Sequence, residues 1–191
     1  MPLSLGWLAL LLVPVLAWAG TIKVKHVKDD HWPDDYDHLF RKYTKHYFGP
    51  HIDWHWFKAQ GIAESGLNPK AKSPAGAIGI MQIMPATYRE IRKKNPLLKH
   101  ISEPRWNIAA AIFYDRQMYR KWRKKNQLNT GDRLEFTFGS YNAGYGRMLR
   151  AYRRAAKHKG KVQKWQDVAP FAPAETRAYV ARITQLVEAA S

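Results

Sequence analysis

The chain has no cysteine. Disulfides, thiolate metal sites, redox thiols and a thiol-borne lipid anchor are therefore excluded. Acidic residues are scarce: 15 Asp and Glu stand against 32 Lys and Arg, a formal charge of +17. A surplus of that size points to a polyanionic partner, which means nucleic acid, an acidic membrane surface or an acidic wall polymer. The few acids are also unevenly placed. Asp29, Asp30, Asp34, Asp35, Asp37 and Asp53 lie at or before residue 53, and none occurs between Glu64 and Glu90. Internal repeats are missing and strand-like alternation is short or absent, which leaves helical periodicity as the dominant pattern. At 191 residues there is room for one domain with a real core, and not for a second catalytic domain.

The first twenty residues, MPLSLGWLALLLVPVLAWAG, form an apolar run followed by Ala17-Trp18-Ala19, an A-x-A cleavage pattern. Residues 1–19 are expected to be a signal peptide, and 20–50 a polar lead-in and first helix. Export makes the protein periplasmic and favours a wall or membrane partner over nucleic acid. No Lys or Arg precedes the run, so an inner-membrane anchor that stays uncleaved is the alternative. Pro14 and the short length favour cleavage.

The spacing predicts a helix over 36–48, ended by Gly49-Pro50, and another over 52–64, stopped at Ser65-Gly66. Residues 70–80 carry Pro74, Gly76 and Gly79 and read as loop or short extended structure. Pro85 opens a helix to Lys94. Ile108, Ala111, Ile112, Tyr119 and Trp122 keep the 3.6-residue period of a longer helix that begins near Pro104. Further helices are expected over 132–141, 147–157 and 174–189. The fold class is mainly α, with at most a small β element near 72–80.

Glu64, predicted to close its helix, faces unpaired carbonyls whose partial negative charge disfavours a second negative charge. Ile62, Ala63 and the following IGIMQIM run add desolvation in the same direction. A carboxyl that stays protonated near neutral pH can donate to a glycosidic oxygen, the role of a general acid. By position alone an ordinary solvated residue at a helix end is the more common case for Glu64.

Four stretches alter that balance. ES at 64–65, GIMQIMPATY at 79–88, SYNAGYG at 140–146 and ETRAYV at 175–180 resemble, in order, the motifs of bacterial lytic transglycosylases of the soluble (Slt) type, which have the goose-type lysozyme fold. The resemblance covers about 52–187 and makes 51–191 the catalytic domain. It implies that Glu64 is the sole acid/base, cleaving the β-1,4 bond between N-acetylmuramic acid and N-acetylglucosamine in peptidoglycan. The substrate's own acetamido oxygen would then replace the second carboxylate of most glycosidases, and the product would carry a 1,6-anhydro ring.

The resemblance also implies supporting roles. Ser73 matches a serine that hydrogen-bonds the glutamate, Met81 lines the cleft, and Gln82, Tyr141 and Asn142 match substrate-facing positions, with a tyrosine hydroxyl near Glu64. Tyr179 reads as cleft or core, and Glu175 as a partner for the helix N-terminus it opens. Taken singly, Met81 reads as core and Ser73 as a turn residue.

Neither metal nor cofactor is expected. His51 and His55 have an i, i+4 spacing but lack the glutamate of HExxH. Most of the tryptophans are expected in the core, with sugar stacking as the other use of Trp54, Trp56, Trp106, Trp122 and Trp165. The expected partners are peptidoglycan glycan strands and an envelope-spanning secretion or pilus machine, with no nucleic acid, and the expected state is a monomer. A hydrolytic lysozyme on the same fold and a catalytically weak cationic wall-binding or scaffold protein are the alternatives.

Overall fold

The computed structural model describes residue 28, residues 31–123 and residues 128–188. The expected signal peptide lies outside them. Among the described residues the only extended pairing is two isolated antiparallel bridges, Lys72 with Ile78 and Ile78 with Ile83. They form the small β element expected near 72–80.

Helix α1 (Asp37–Phe48) is followed by α2 (His55–Ser65). The expected start of α2 at 52 is corrected to His55, because Asp53 Oδ1 accepts the His55 backbone N–H at 3.0 Å and holds the preceding residues in a turn. The same carboxylate lies 2.6 Å from His55 Nδ1. Helix α3 (Pro85–Lys94) has its proline in the first turn, where the missing N–H is harmless. Helix α4 (Pro104–Trp122) is the long central element. Its fully buried Ala109, Ala110 and Ala111 let α1 and then α5 (Thr130–Ala143) pack against it at close range. Asn129 caps α5 by accepting from the Asp132 N–H at 2.8 Å, which sets the start two residues before the expected one.

Helix α5 is buried on nearly every side. It contacts α4, α6 (Tyr145–Lys159), a short α7 (Trp165–Val168) and α8 (Ala174–Val187). Phe136 and Phe138 on α5 and Trp122 on α4 are fully buried, and burial of each such side chain contributes roughly 1.5–3 kcal/mol. The Trp122 indole N–H donates to Ser140 Oγ at 2.9 Å, so the core pairs its polar atom. Sequence periodicity did not reveal α7 or the 3-10 turn Ala169–Phe171 that follows it. Neither is longer than about one helical turn, and both are fixed by tertiary contacts, such as Asp132 Oδ1 accepting the Trp165 N–H at 2.9 Å.

Two of the tryptophans considered for sugar stacking are core residues: Trp122 and Trp165 are 0% and 5% exposed, while Trp54, Trp56 and Trp106 are partly buried. Among the described residues, no helix is long and apolar enough to cross a membrane.

Candidate active site

Glu64 stands at the second-last position of α2, and Gly66 ends that helix in the left-handed region (φ 62°), its N–H bonded to Ile62 O at 2.9 Å. A residue with a Cβ would adopt that φ only at a cost, so Gly66 fixes where Glu64 stops. Helix α8 packs across α2 and brings Tyr179 to the carboxylate. The Tyr179 hydroxyl donates to Glu64 Oε1 at 2.6 Å. Glu64 is half-buried, and its pKa is raised to about 7, chiefly by burial, against the lowering effect of the Tyr179 hydrogen bond. The helix-end carbonyls that the sequence put first are not among its principal causes.

Opposite the end of α2, the 78–83 segment is pinned from three directions. Ser65 Oγ donates to Ile80 O at 2.8 Å, and Tyr141 Oη on α5 donates to Met81 O at 2.7 Å. Asn107 on α4 does the rest: its Oδ1 accepts the Met81 N–H at 2.8 Å, and its Nδ2 donates to Ile78 O at 2.9 Å and Ile101 O at 3.0 Å. Gly79 (φ 78°) lies so close that an added Cβ would sit 2.7 Å from Asn107 Nδ2. Only glycine fits both the angle and the space.

This network corrects several expectations. The tyrosine on Glu64 is Tyr179, and Tyr141 holds the loop instead. Met81 does not line a cleft with its side chain, which is fully buried; its backbone carries both loop bonds. Ser73 does not hydrogen-bond Glu64, since its Oγ accepts the Ala77 N–H at 3.0 Å and shapes the turn before the loop. Gln82 adopts φ 44° and turns its amide inward, donating to Gly79 O at 2.9 Å and Ala71 O at 3.3 Å. Asn142 is exposed and accepts from Thr176 Oγ1 at 2.7 Å, tying α5 to the start of α8. Glu175 lies exposed in the first turn of α8, as the helix-terminus reading has it.

A second carboxyl does fold near Glu64. Asp115 on α4 is 0% exposed, and its closest polar partner is Gln60 Nε2, 3.5 Å from Oδ1. Burial, with a smaller contribution from the Glu64 charge, pushes its pKa well above the ordinary carboxylate range and so favours its neutral form. Tyr114, Tyr141 and Tyr179 are raised as well, mainly by burial, and remain proton donors. The site therefore joins two carboxyls and three phenols with no cation among their principal influences. Sequence reasoning missed Asn107 and Gln60, although Asn107 immediately precedes the first residue of the apolar period of α4.

Residues 40–164 match the family described as Transglycosylase SLT domain. The chain belongs to this family. The SLT domain here is 31% identical over 133 residues to a membrane-bound lytic murein transglycosylase F of Photobacterium profundum, spanning 70% of this chain and 24% of that protein. It is 30% identical over 133 residues to the protein of the same description in Yersinia pestis, spanning 70% of this chain and 25% of that protein. Among solved structures it resembles the 70-kDa soluble lytic transglycosylase of Escherichia coli, with a TM-score of 0.64, 28% identity, and coverage of 81% of this chain and 24% of that one. A complex of the 70-kDa soluble lytic transglycosylase with bulgecin A matches with a TM-score of 0.63 and 30% identity, over 80% of this chain and 23% of that one. The chain thus spans about a quarter of the length of the relatives it matches. The lysozyme-like fold expected from the sequence is the fold of these neighbours.

Proposed function

We propose that the protein is a peptidoglycan lytic transglycosylase in which Glu64 alone carries the acid and base steps. The carrying observation is the pair of carboxyls with opposite access. Glu64 is half-buried, its pKa is raised to about 7 and it is held by Tyr179, whereas Asp115 is sealed in the core. A hydrolytic lysozyme of the usual kind needs a second carboxylate that reaches a water or the sugar, and Asp115 reaches neither.

In the proposed reaction, protonated Glu64 gives its proton to the glycosidic oxygen as that bond breaks. The acetamido oxygen of the muramic acid bonds to the anomeric carbon as the leaving sugar departs. Glu64, now a carboxylate, takes the proton of the C6 hydroxyl. The C6 oxygen then displaces the acetamido oxygen at the anomeric carbon, closing the 1,6-anhydro ring with no water consumed. Both nucleophiles belong to one bound sugar, so the protein supplies position and a proton carrier. A pKa of about 7 suits both duties, because donation needs the acid and closure needs the base. Tyr179 favours the carboxylate as it forms, and the pinned loop gives the sugar a rigid wall.

The proposal places the protein in the periplasm, exported by residues 1–19, with peptidoglycan glycan strands as substrate. Ser73, Gln82 and Asn142 keep a substrate-facing role in it only through the polar atoms left over from the bonds described above. Work beside an envelope-spanning machine belongs to the same proposal. Deletion that disturbs bulk wall turnover and no such machine would remove that part.

The deciding experiment is mass spectrometry of muropeptides released from purified peptidoglycan by the chain from Gly20, with Glu64→Gln and Asp115→Asn beside it. Anhydro products are expected from the first, none from Glu64→Gln, and from Asp115→Asn a yield within about threefold of the parent, since the amide keeps the shape of a side chain that is shut off from the substrate. Reducing-end products would make the enzyme a lysozyme. No products from any of the three would favour the cationic wall-binding protein.

A further inference from the structure

Away from the elements that carry Glu64, Tyr141 and Tyr179, a groove of about 770 Å3 opens between α1, the α3–α4 connection and the start of α4. Lys42, Lys45, Lys99 and Arg105 line it, all four are exposed, and no acid does so. None of the four is in an ion pair among the described residues. Its floor is aromatic, from Tyr43, Tyr47 and Trp106. Leu97, on the same rim, is 77% exposed, far more than the other exposed large apolar side chain, Met84 at 39%.

The directional groups in this groove are already engaged. Tyr43 Oη accepts from Arg105 Nε at 3.1 Å, and Tyr47 Oη accepts from Asn95 Nδ2 at 3.2 Å. The Arg105 guanidinium lies 4.5 Å from the Trp106 ring centre, and Lys42 Nζ lies 5.7 Å from that of Tyr43. What remains on offer is positive charge, apolar area and one protruding leucine. Those attractions need no fixed partner geometry. They suit a fluid anionic surface better than a peptide, whose backbone would need unpaired donors and acceptors. Interfacial tryptophan and tyrosine, lysines on long stems and an inserting leucine are the means by which proteins rest on bilayers.

We propose that this groove is a docking surface for an anionic phospholipid bilayer, with lipid phosphates against Lys42, Lys45, Lys99 and Arg105 and with Leu97 entering the interface. Helix α1, one wall of the groove, is the first of the described helices after the apolar N-terminal run. The residues that line the groove are separate from those around Glu64. Docking here leaves the carboxylate free.

The test is sedimentation with vesicles of phosphatidylcholine alone or mixed with phosphatidylglycerol, using the chain from Gly20. That chain retains the whole described core from Phe40 to Leu186 and lacks the apolar run. A groove variant (Lys42→Gln, Lys99→Gln, Arg105→Gln) is compared with one that removes equal charge from the exposed face of α6 (Arg150→Gln, Arg153→Gln, Lys157→Gln), each checked for native circular dichroism. At low salt the groove variant should lose binding to the mixed vesicles on the order of 100-fold, and the α6 variant no more than about fivefold. Leu97→Ser, an exposed change that leaves the charges in place, should weaken binding about tenfold and do so at high salt as well. Equal losses in the two charge variants would overturn the proposal in favour of diffuse attraction. An unaffected Leu97→Ser would overturn it too, by reducing the groove to an acceptor of soluble acidic ligands.

Discussion

Tyr179 tempers how burial makes Glu64 titrate. Its hydroxyl donates to the carboxylate and so favours the charged form, against the larger effect of burial. Removing it by Tyr179→Phe takes away the lowering influence, and the Glu64 pKa must rise further. Activity that begins with proton donation falls as pH passes upward through that pKa. The descending limb of the pH–rate profile should therefore move to higher pH in Tyr179→Phe, while the maximal rate drops about tenfold for loss of an orienting bond. A drop in rate with an unmoved limb would mean that Tyr179 acts on the sugar alone. Of the residues in the site, the sequence disclosed those whose type fixes their use. Glu64 stood out because acids vanish around it. Tyr141 and Tyr179 did not reveal which of them would meet it, since that depends on the rotation of α5 and α8 about their axes, and both helices are apolar enough to permit either facing. Ser73 and Met81 were misplaced for a related reason: a hydroxyl three or four residues from a free N–H closes its own turn first, and a thioether with room in the core goes there.

At the scale of elements, most boundaries were legible because glycine, proline and Asx residues punctuate them. Helices α3 and α4 begin at prolines, and Gly49, Gly66 and Gly144 follow the ends of α1, α2 and α5. The 78–83 loop was not legible in this way. Its shape is dictated by one buried amide on another helix, and nothing near Gly79 in the chain announces Asn107. Asn107→Ala removes three hydrogen bonds, taking the side-chain partner from the Met81 N–H and the Ile101 carbonyl and leaving the Ile78 carbonyl with the Ile83 N–H alone. It should lower stability by about 3 kcal/mol in chemical denaturation and reduce the rate more than substrate binding. Restoring stability elsewhere in the molecule should leave the rate defect in place, because the loop is the wall of the site.

Across the whole molecule, three buried or half-buried carboxyls depart upward from their ordinary range. Glu64 and Glu135 are raised to about 7 and Asp115 well above the ordinary range, each chiefly by burial. Groups whose folded pKa exceeds the unfolded value bind protons more tightly in the native state, so their contribution to stability is complete below about pH 4 and is lost as pH rises through the folded values. The melting temperature of the chain from Gly20 should accordingly fall between pH 5 and pH 8, and Glu135→Gln should flatten that fall while leaving the anhydro product unchanged. A melting temperature that rises over this range would contradict the burial of these carboxyls. The large net charge adds self-repulsion at every pH in this range, and salt should relieve it. One contact also bears on when the site comes into being. The two residues joined at 2.6 Å are separated by 115 positions, and the second lies in the last of the described helices. A ribosome delivers them far apart in time, amino end first. Until α8 is made, Glu64 lacks both the hydroxyl that holds it and the helix that packs across its own, so the pairing is among the later events in the birth of the fold.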